Sequence, residues 1–140
     1  MQKIIIGREY PEQIIPLIKK AKNNIKILIY DWRFYPNEIG SSIQVFNYEI
    51  LQSARRGVSV RALVNNNLLC PFLRNQGIKV SKVETKKTMH IKMIIIDDCF
   101  LVIGSHNLTK SAFLLNHEIS ILTDDGEAVA RCSKFFEDIK

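Results

Sequence analysis

The stretch that decides the fold is His90-Ile91-Lys92-Met93-Ile94-Ile95-Ile96-Asp97, and a second apolar run, Phe100–Gly104, follows it closely. Short apolar runs bounded by turn residues are typical of strands that are buried on both faces. The connection between them, Asp97-Asp98-Cys99, is long enough only for a hairpin turn. We therefore expect His90–Ile96 and Phe100–Gly104 to be neighbouring antiparallel strands.

The chain before this hairpin alternates between short apolar runs and amphipathic segments. Continuous or alternating apolar runs predict strands, whereas apolar residues at three- and four-residue spacing predict helices. The predicted strands are Lys3–Ile6, Asn24–Trp32, Val58–Val64 and Ile78–Val83. The predicted helices are Pro11–Asn23 and Ser42–Arg56, with a shorter helix inside Asn67–Asn75.

The chain after the hairpin continues with a short helix or loop, a strand and a final helix, at Thr109–Leu115, His117–Leu122 and Glu127–Ile139. Crossovers between parallel strands place helices over a sheet, and both faces of such a sheet must be covered. The pattern therefore predicts an α/β fold, an α/β/α sandwich with a central mixed β-sheet. No repeat or linker divides it, so residues 1–140 are expected to form a single domain.

Composition places the chain among ordinary globular proteins. Apolar residues make up 46% of the 140 residues and charged residues 24%, which excludes intrinsic disorder. No apolar run approaches the roughly 18 residues that span a bilayer, and the first residues lack the apolar core of a signal peptide. The three cysteines cannot all pair, which suits a reducing compartment. We expect a cytoplasmic protein without stable membrane insertion.

The charge of the chain favours a polyanionic partner. The sequence has 20 Lys and Arg against 14 Asp and Glu, a net charge of +6. Such a surplus is typical of surfaces that bind nucleic acid. Part of it lies just before the hairpin, where Lys86 and Lys87 precede His90. Two interpretations of these lysines remain open: a solvated surface, or a track for substrate phosphates.

Polar side chains interrupt the apolar pattern of the predicted sheet at positions that core packing does not explain. A strand places alternate residues on one face, so His90 and Lys92 would share a side, about 6.6 Å apart at roughly 3.3 Å per residue. Ser105 and Asn107 follow the second strand of the hairpin, and Glu118 lies in the strand after it. Burial of an unpaired polar group costs about 1–3 kcal/mol, so their gathering at one sheet edge favours a functional site.

This pattern resembles the phospholipase D superfamily. His90-Ile91-Lys92, four apolar residues and Asp97 match its H-x-K-x-x-x-x-D motif, while Gly104-Ser105-His106-Asn107 and Glu118 are similar to the family's continuation. The family uses two such motifs in each active site, and this chain has one. The resemblance therefore implies the bacterial Nuc-type branch, in which two identical chains form one site at the interface of a homodimer.

The resemblance also implies a role for each polar residue. His90 of one subunit would attack phosphorus and form a phosphohistidine, while its counterpart protonates the leaving group and then activates water. Lys92 and Asn107 would hold the phosphate oxygens with help from Ser105, and Glu118 would fix the tautomer of His90. Neither a metal ion nor another cofactor is implied.

Other residues near the motif have simpler interpretations. Asp97 opens a turn and alternates away from the catalytic side, so we expect it, like Gly104, to serve the structure. His106 and His117 lack the spacing of zinc ligands and are expected to be packing or surface residues. None of these four residues is expected to touch the substrate.

Two pairs of residues keep alternatives open. Trp32 and Arg33 follow a strand that leads to the site, where they could contact substrate by stacking on bases or could anchor the loop. Ser105 and Asn107 could hold phosphate or only cap the turn that follows. We take substrate contact as the prediction for both pairs.

The leading hypothesis from the sequence is a metal-independent phosphodiesterase that acts as a homodimeric endonuclease without sequence preference, on DNA and, as a second substrate, on RNA. The first alternative is a phospholipid-directed hydrolase on the same fold, because the chemistry does not depend on what the phosphate carries. The second alternative is a non-catalytic nucleic-acid-binding component, against which the intact pair of His90 and Lys92 argues.

Overall fold

The computed structural model describes residues 1–84 and 86–139, and within them the chain forms seven strands and five helices. The strands are β1 (Gln2–Ile6), β2 (Asn24–Ile29), β3 (Ser59–Val64), β4 (Lys79–Lys82), β5 (Lys92–Ile96), β6 (Phe100–Gly104) and β7 (Ile119–Thr123). The helices are α1 (Glu9–Lys20), α2 (Ser42–Arg55), α3 (Cys70–Asn75), α4 (Lys110–Leu114) and α5 (Gly126–Asp138). Each lies where the sequence predicts an element of that type, with small shifts of the boundaries.

All seven strands join one sheet in the order β1-β7-β6-β5-β2-β3-β4. Strands β2, β3 and β4 run parallel to one another, whereas β5 pairs antiparallel with both β2 and β6. Strand β7 pairs antiparallel with β6 and with β1. The predicted hairpin of β5 and β6 is confirmed, with Ile96 opposite Phe100. The sheet is mixed, as predicted.

Helices cover both faces of this sheet. The larger core, which includes residues of α1, α2 and α4, receives Ile27 from β2 and Ile94 from β5. The smaller core lies on the other face, where Leu28 and Met93 pack with Phe136 of α5. Because both faces of β2 and β5 are buried, these strands are mainly apolar, and the buried Lys26 of β2 is paired with Asp98. The prediction of an α/β/α sandwich is confirmed.

The prediction that β5 begins at His90 is wrong by two residues, since the strand begins at Lys92. Lys92 pairs with Ile29, the last residue of β2. Among the described residues, no strand partner continues the ladder beyond this pair, so His90 lies outside the sheet. The prediction that β2 extends to Trp32 is wrong for the same reason, because β2 ends at Ile29, where its pairing with β5 ends.

Asp97 joins the turn between β5 and β6 to the start of β2. Asp97 and Asp98 have φ values of 55° and 51°, the left-handed conformation that tight hairpin turns require. The Asp97 carboxylate accepts hydrogen bonds from the backbone N–H groups of Lys22, Asn23 and Asn24, at 2.7 to 3.1 Å. These hydrogen bonds support the prediction that Asp97 serves the structure.

We expect Asp97→Ala to lower the free energy of unfolding by about 2 kcal/mol or more, because three backbone N–H groups lose a charged acceptor. Chemical denaturation followed by circular dichroism measures the change. Asp97→Asn keeps an acceptor oxygen and should lose less. The control is Asp138→Ala, which removes only an exposed ion pair with Lys134 and should cost under about 0.5 kcal/mol. Equal losses for Asp97→Ala and this control would contradict the interpretation.

Gly104 lies against the backbone of β7. A Cβ atom at this position would stand 2.4 Å from Cα of Ser120 and 2.5 Å from the carbonyl oxygen of Ile119. Such distances are shorter than packed atoms allow, so a larger residue must push the two strands apart. The structural role predicted for Gly104 therefore has a steric basis.

Gly104→Ala should lower the free energy of unfolding by about 1–3 kcal/mol, the usual cost of overpacking. Gly40→Ala is the matched control, because a Cβ atom on Gly40 would meet nothing within 4 Å. Thermal unfolding of the two variants beside the wild type measures the difference. An unchanged midpoint of thermal unfolding for Gly104→Ala would show that β6 and β7 can move apart without loss of stability.

Candidate active site

The polar residues predicted for the site meet at one edge of the sheet. Strands β2 and β6 end at this edge and β5 and β7 begin there, because each neighbouring pair of these strands is antiparallel. Lys92 is the first residue of β5, with His90 just before it. Ser105 and Asn107 follow β6, and Glu118 precedes β7. The fold therefore gathers all five predicted catalytic residues at one sheet edge.

His90 and Lys92 are in contact. Lys92 Nζ lies 3.0 Å from Nδ1 and 3.2 Å from Nε2 of the exposed His90 ring, and it donates to the His90 carbonyl oxygen at 2.9 Å. The two side chains share one side, in agreement with the strand alternation. An ammonium group can donate only to a ring nitrogen without a proton, and such a nitrogen is also the one that can act as a nucleophile.

Tyr30 underlies this pair and was not among the predicted site residues. Its ring centroid lies 4.6 Å from that of His90, with the ring planes at 55°, and 5.4 Å from Lys92 Nζ. Ring pairs of this kind and cations above an aromatic face are both favourable. No motif includes Tyr30, and the strand register brings it to the site, because Ile29, the residue before it, pairs with Lys92.

Two opposing effects act on the pKa of Lys92. Partial burial at the strand end lowers the pKa below its ordinary value, and the negative charge of Glu118 raises it by a smaller amount. Glu118 is therefore close enough to interact with the ammonium group. A bound phosphate would also raise the pKa of Lys92, because a nearby negative charge favours the charged form of a lysine.

Glu118 is hydrogen-bonded to Ser105. Ser105 Oγ donates to Glu118 Oε1 at 2.5 Å, and Asn116 Nδ2 donates to Oε2 at 3.1 Å. Ser105 Oγ also accepts from the N–H of Ile119 at 3.0 Å. Among the described residues no hydrogen bond joins Glu118 to His90, so the proposed control of the His90 tautomer stays a prediction for the assembled site.

Asn107 connects the site to the segment that follows β2. Its Oδ1 accepts from the N–H of Asp31 at 3.0 Å, and the neighbouring Leu108 makes backbone hydrogen bonds with Asp31 and Arg33. Helix α4 is capped by Thr109, so Asn107 is not needed as its cap. Within the part of the chain that the structure describes, Nδ2 of Asn107 has no partner. This amide can therefore donate to a phosphate oxygen.

Trp32, a predicted substrate contact, is held within the protein, which favours the alternative that it anchors its loop. Trp32 is buried in the larger core, and its indole N–H donates to Oδ1 of the buried Asn47 at 2.8 Å. An indole that is enclosed in this way can anchor its loop. Arg33 differs, because it is exposed and its Nε donates to Asp31 at 3.1 Å, which raises its pKa. Substrate contact by Arg33 stays a prediction.

Lys86 and Lys87 are exposed on the segment that leads to His90. Lys87, His90 and Phe135 of α5 line one groove of about 680 Å³. Contact of the two lysines with substrate phosphates stays a prediction. The groove lies beside His90.

His106 is buried and belongs to the core. Its Nε2 donates to the carbonyl oxygen of Gly7 at 2.9 Å, its Nδ1 lies 2.7 Å from Ser120 Oγ, and its ring packs 4.5 Å from that of Tyr10. Burial lowers the pKa of His106. The packing interpretation of His106 is confirmed, and His117 is exposed. Among residues 1–84 and 86–139, no three His, Cys, Asp or Glu side chains lie close enough together to hold a metal ion.

The mixed sheet and the motif residues at its edge together define a phospholipase D-like domain. Comparison with protein families agrees, because residues 14–140 match the family described as "Cardiolipin synthase, PLD-like domain". The chain belongs to this family.

Two curated relatives bear the name of cardiolipin. The mitochondrial cardiolipin hydrolase of Homo sapiens is 30% identical over 139 residues, which cover 95% of this chain and 52% of that protein. The probable cardiolipin synthase YwiE of Bacillus subtilis is 32% identical over 116 residues, which cover 75% of this chain and 22% of that protein. The chain thus spans about half or less of the length of these relatives.

A solved structure matches the chain over almost its whole length. NucT from Helicobacter pylori superposes with a TM-score of 0.81 at 23% identity, and the match covers 99% of this chain and 94% of that one. The two chains therefore share one fold.

Tyr30→Leu should cost about 1 kcal/mol of unfolding free energy and shift the ring-proton resonances of His90, because it removes the ring that contacts both His90 and Lys92. Tyr30→Phe keeps the ring and should change neither quantity much. Denaturation and proton NMR measure the two effects, with the His90 signals assigned by their absence in His90→Ala. Identical behaviour of the Leu and Phe variants would contradict the role given to Tyr30.

Proposed function

We propose that this chain is a metal-independent phosphodiesterase that works as a homodimer and cleaves nucleic acid as an endonuclease through a phosphohistidine intermediate. The observation that carries the proposal is the exposed His90 ring, in contact with Lys92 at the edge of the sheet. Membership of the phospholipase D-like family and the single motif in the sequence support it.

The reaction proceeds in two displacements at phosphorus. In the first, a ring nitrogen of His90 forms a bond to phosphorus, the bond from phosphorus to the leaving oxygen breaks, and His90 of the partner subunit gives that oxygen a proton. In the second, water attacks phosphorus, the partner's His90 takes a proton from it, and the nitrogen–phosphorus bond breaks. The reaction needs two imidazoles in different protonation states, and each chain supplies one.

Lys92 and Asn107 hold the non-bridging oxygens of the phosphate. The ammonium group of Lys92 is already beside the His90 ring, and Nδ2 of Asn107 has no other partner among the described residues. Donors that are fixed before the reaction stabilise the charge that develops on phosphate oxygens. Ser105 acts indirectly, because its hydroxyl holds Glu118.

Nucleic acid is the substrate that charge favours. The chain carries a net charge of +6. Three exposed basic residues lie close to site residues along the sequence: Lys86 and Lys87 shortly before His90, and Arg33 shortly after Tyr30. Contacts of such side chains with phosphates are independent of base sequence. No element of the sequence resembles a module that reads bases, so we expect cleavage without sequence preference.

A phospholipid is the second candidate substrate. The names of the curated relatives, a cardiolipin hydrolase and a probable cardiolipin synthase, favour it. So do two exposed apolar side chains on loops, Ile39 after β2 and Leu68 after β3, since apolar side chains can enter the interface of a lipid layer. No helix in the described residues is long and apolar enough to cross a membrane.

His90→Ala should reduce cleavage of plasmid and single-stranded DNA by about a thousandfold or more, because both the nucleophile and the proton donor are lost. Gel electrophoresis of reactions in EDTA measures this, and the wild type should cleave under the same conditions. His117→Ala, an exposed histidine outside the site, is the matched control and should keep its activity. Cleavage that survives His90→Ala would refute the mechanism.

The same assay separates the alternatives. Turnover of cardiolipin vesicles without turnover of DNA would favour the phospholipid substrate. Salt-sensitive binding of DNA without cleavage would identify a binding component. Co-refolding of wild-type and His90→Ala chains tests the shared site, because activity should then fall with the square of the wild-type fraction. A linear decrease would show that one chain is sufficient.

A further inference from the structure

His90, the nucleophile of the proposed reaction, lies outside the paired part of the sheet. Strand β5 begins at Lys92, where its ladder with β2 also begins, opposite Ile29. His90 precedes this pair by two residues, and its side chain is exposed. An exposed ring loses conformational freedom when it is fixed for attack on phosphorus, and this loss opposes the reaction. Contacts other than strand pairing must therefore set the position of the ring.

The first such contact comes from the loop that follows β3. Asn65 comes directly after Val64, the last residue of β3, and its Oδ1 accepts a hydrogen bond from the backbone N–H of Met89 at 3.2 Å. Met89 is buried and packs in the smaller core. The residue directly before His90 is therefore held through both its backbone and its side chain, and Asn65 supplies the backbone contact.

The second contact comes from the end of β2. Tyr30 follows Ile29, and the centroid of its half-buried ring lies 4.6 Å from that of the His90 ring. Among the described residues the hydroxyl of Tyr30 makes no hydrogen bond, so its ring makes the contact. The χ2 torsion of a histidine has only a broad preference of its own. An aromatic ring packed against the imidazole therefore decides how the imidazole is tilted.

The two contacts start from neighbouring points of the sheet. Strands β2 and β3 are parallel, and their last residues, Ile29 and Val64, are directly opposite each other. Tyr30 and Asn65 each follow one member of this pair, so they leave the sheet side by side at the edge that carries the site. Side chains anchored on buried strands keep their positions more precisely than side chains on long loops.

We propose that Asn65 and Tyr30 are positioning residues for the reaction at His90. The inference rests on the proposed function, in which a ring nitrogen of His90 attacks phosphorus. Asn65 fixes the backbone before the histidine, and Tyr30 fixes the tilt of its ring. A displacement of about 1 Å in a reacting group can cost about a hundredfold in rate, so both contacts contribute to kcat without touching the phosphate.

Steady-state kinetics of Asn65→Ala and Tyr30→Leu test this inference. Each substitution should lower kcat for cleavage of single-stranded DNA by about tenfold or more and leave KM within about threefold, because Lys92 and Asn107 still hold the phosphate. Asn65→Asp keeps an acceptor oxygen and Tyr30→Phe keeps the aromatic ring, so both should retain most of the wild-type kcat. Circular dichroism checks that each variant is folded. If Asn65→Ala fails to fold, Asn65→Leu, which is closer to asparagine in size, replaces it.

Asn66→Ala is the matched control. The side chain of Asn66 also accepts a hydrogen bond from a backbone N–H, that of Leu68 at 3.0 Å, so this variant loses the same kind of contact in the same loop. The contact does not involve the segment before His90, and kcat should stay unchanged. Equal losses of kcat in Asn65→Ala and Asn66→Ala would overturn the inference, as would an unchanged kcat in Asn65→Ala and Tyr30→Leu.

Two measurements that need no activity separate this inference from the proposed function. Hydrogen exchange of the Met89 amide should become about tenfold faster in Asn65→Ala and stay unchanged in Asn66→Ala. The ring-proton resonances of His90 should move towards those of free histidine in Asn65→Ala and in Tyr30→Leu. An inactive wild type in which both changes are seen refutes the proposed function while the contacts are upheld. An active wild type whose Asn65→Ala and Tyr30→Leu variants keep their kcat refutes the inference alone.

Discussion

The pairing of β5 with β2 on one side and β6 on the other is the constraint on which the rest of the structure depends. Residues of β5 alternate between the two cores, as Ile94 and Met93 show, so the strand cannot slip by one position without exposing both sets. Its ladder with β2 ends where Lys92 meets Ile29. His90 comes two residues before Lys92 and therefore lies outside the sheet.

The motif therefore has a chemical end and a structural end. At one end of β5, His90 and Lys92 lie together on the ring of Tyr30. At the other end, the carboxylate of Asp97 holds three backbone N–H groups at the start of β2. The four apolar residues between them cross the core. They form the rest of β5, so the length of this strand sets the distance between the two ends.

The proposed reaction needs two imidazoles, and the motif of this chain supplies one, His90. Association of two copies would bring two such rings to one phosphate, so assembly and activity would be coupled.

Local patterns along the chain were sufficient for much of the fold. Alternation and continuous apolar runs identified the strands, and the short Asp97-Asp98-Cys99 connection identified the hairpin. The same alternation placed His90 and Lys92 on one side, and it separated His106 from the site. Each of these features depends on neighbours within a few residues, because the periods of strands and helices are properties of the backbone itself.

Tertiary structure decided the partners of individual side chains. Trp32 was expected at the substrate and lies in the core, because Asn47 of α2 accepts its indole N–H. Glu118 is held by Ser105, and Tyr30 supports the site although no motif includes it. The sequence by itself determined the strands, their faces and the motif; only the packed fold decided where a ladder ends and which distant atom completes each hydrogen bond, since these depend on groups far apart along the chain.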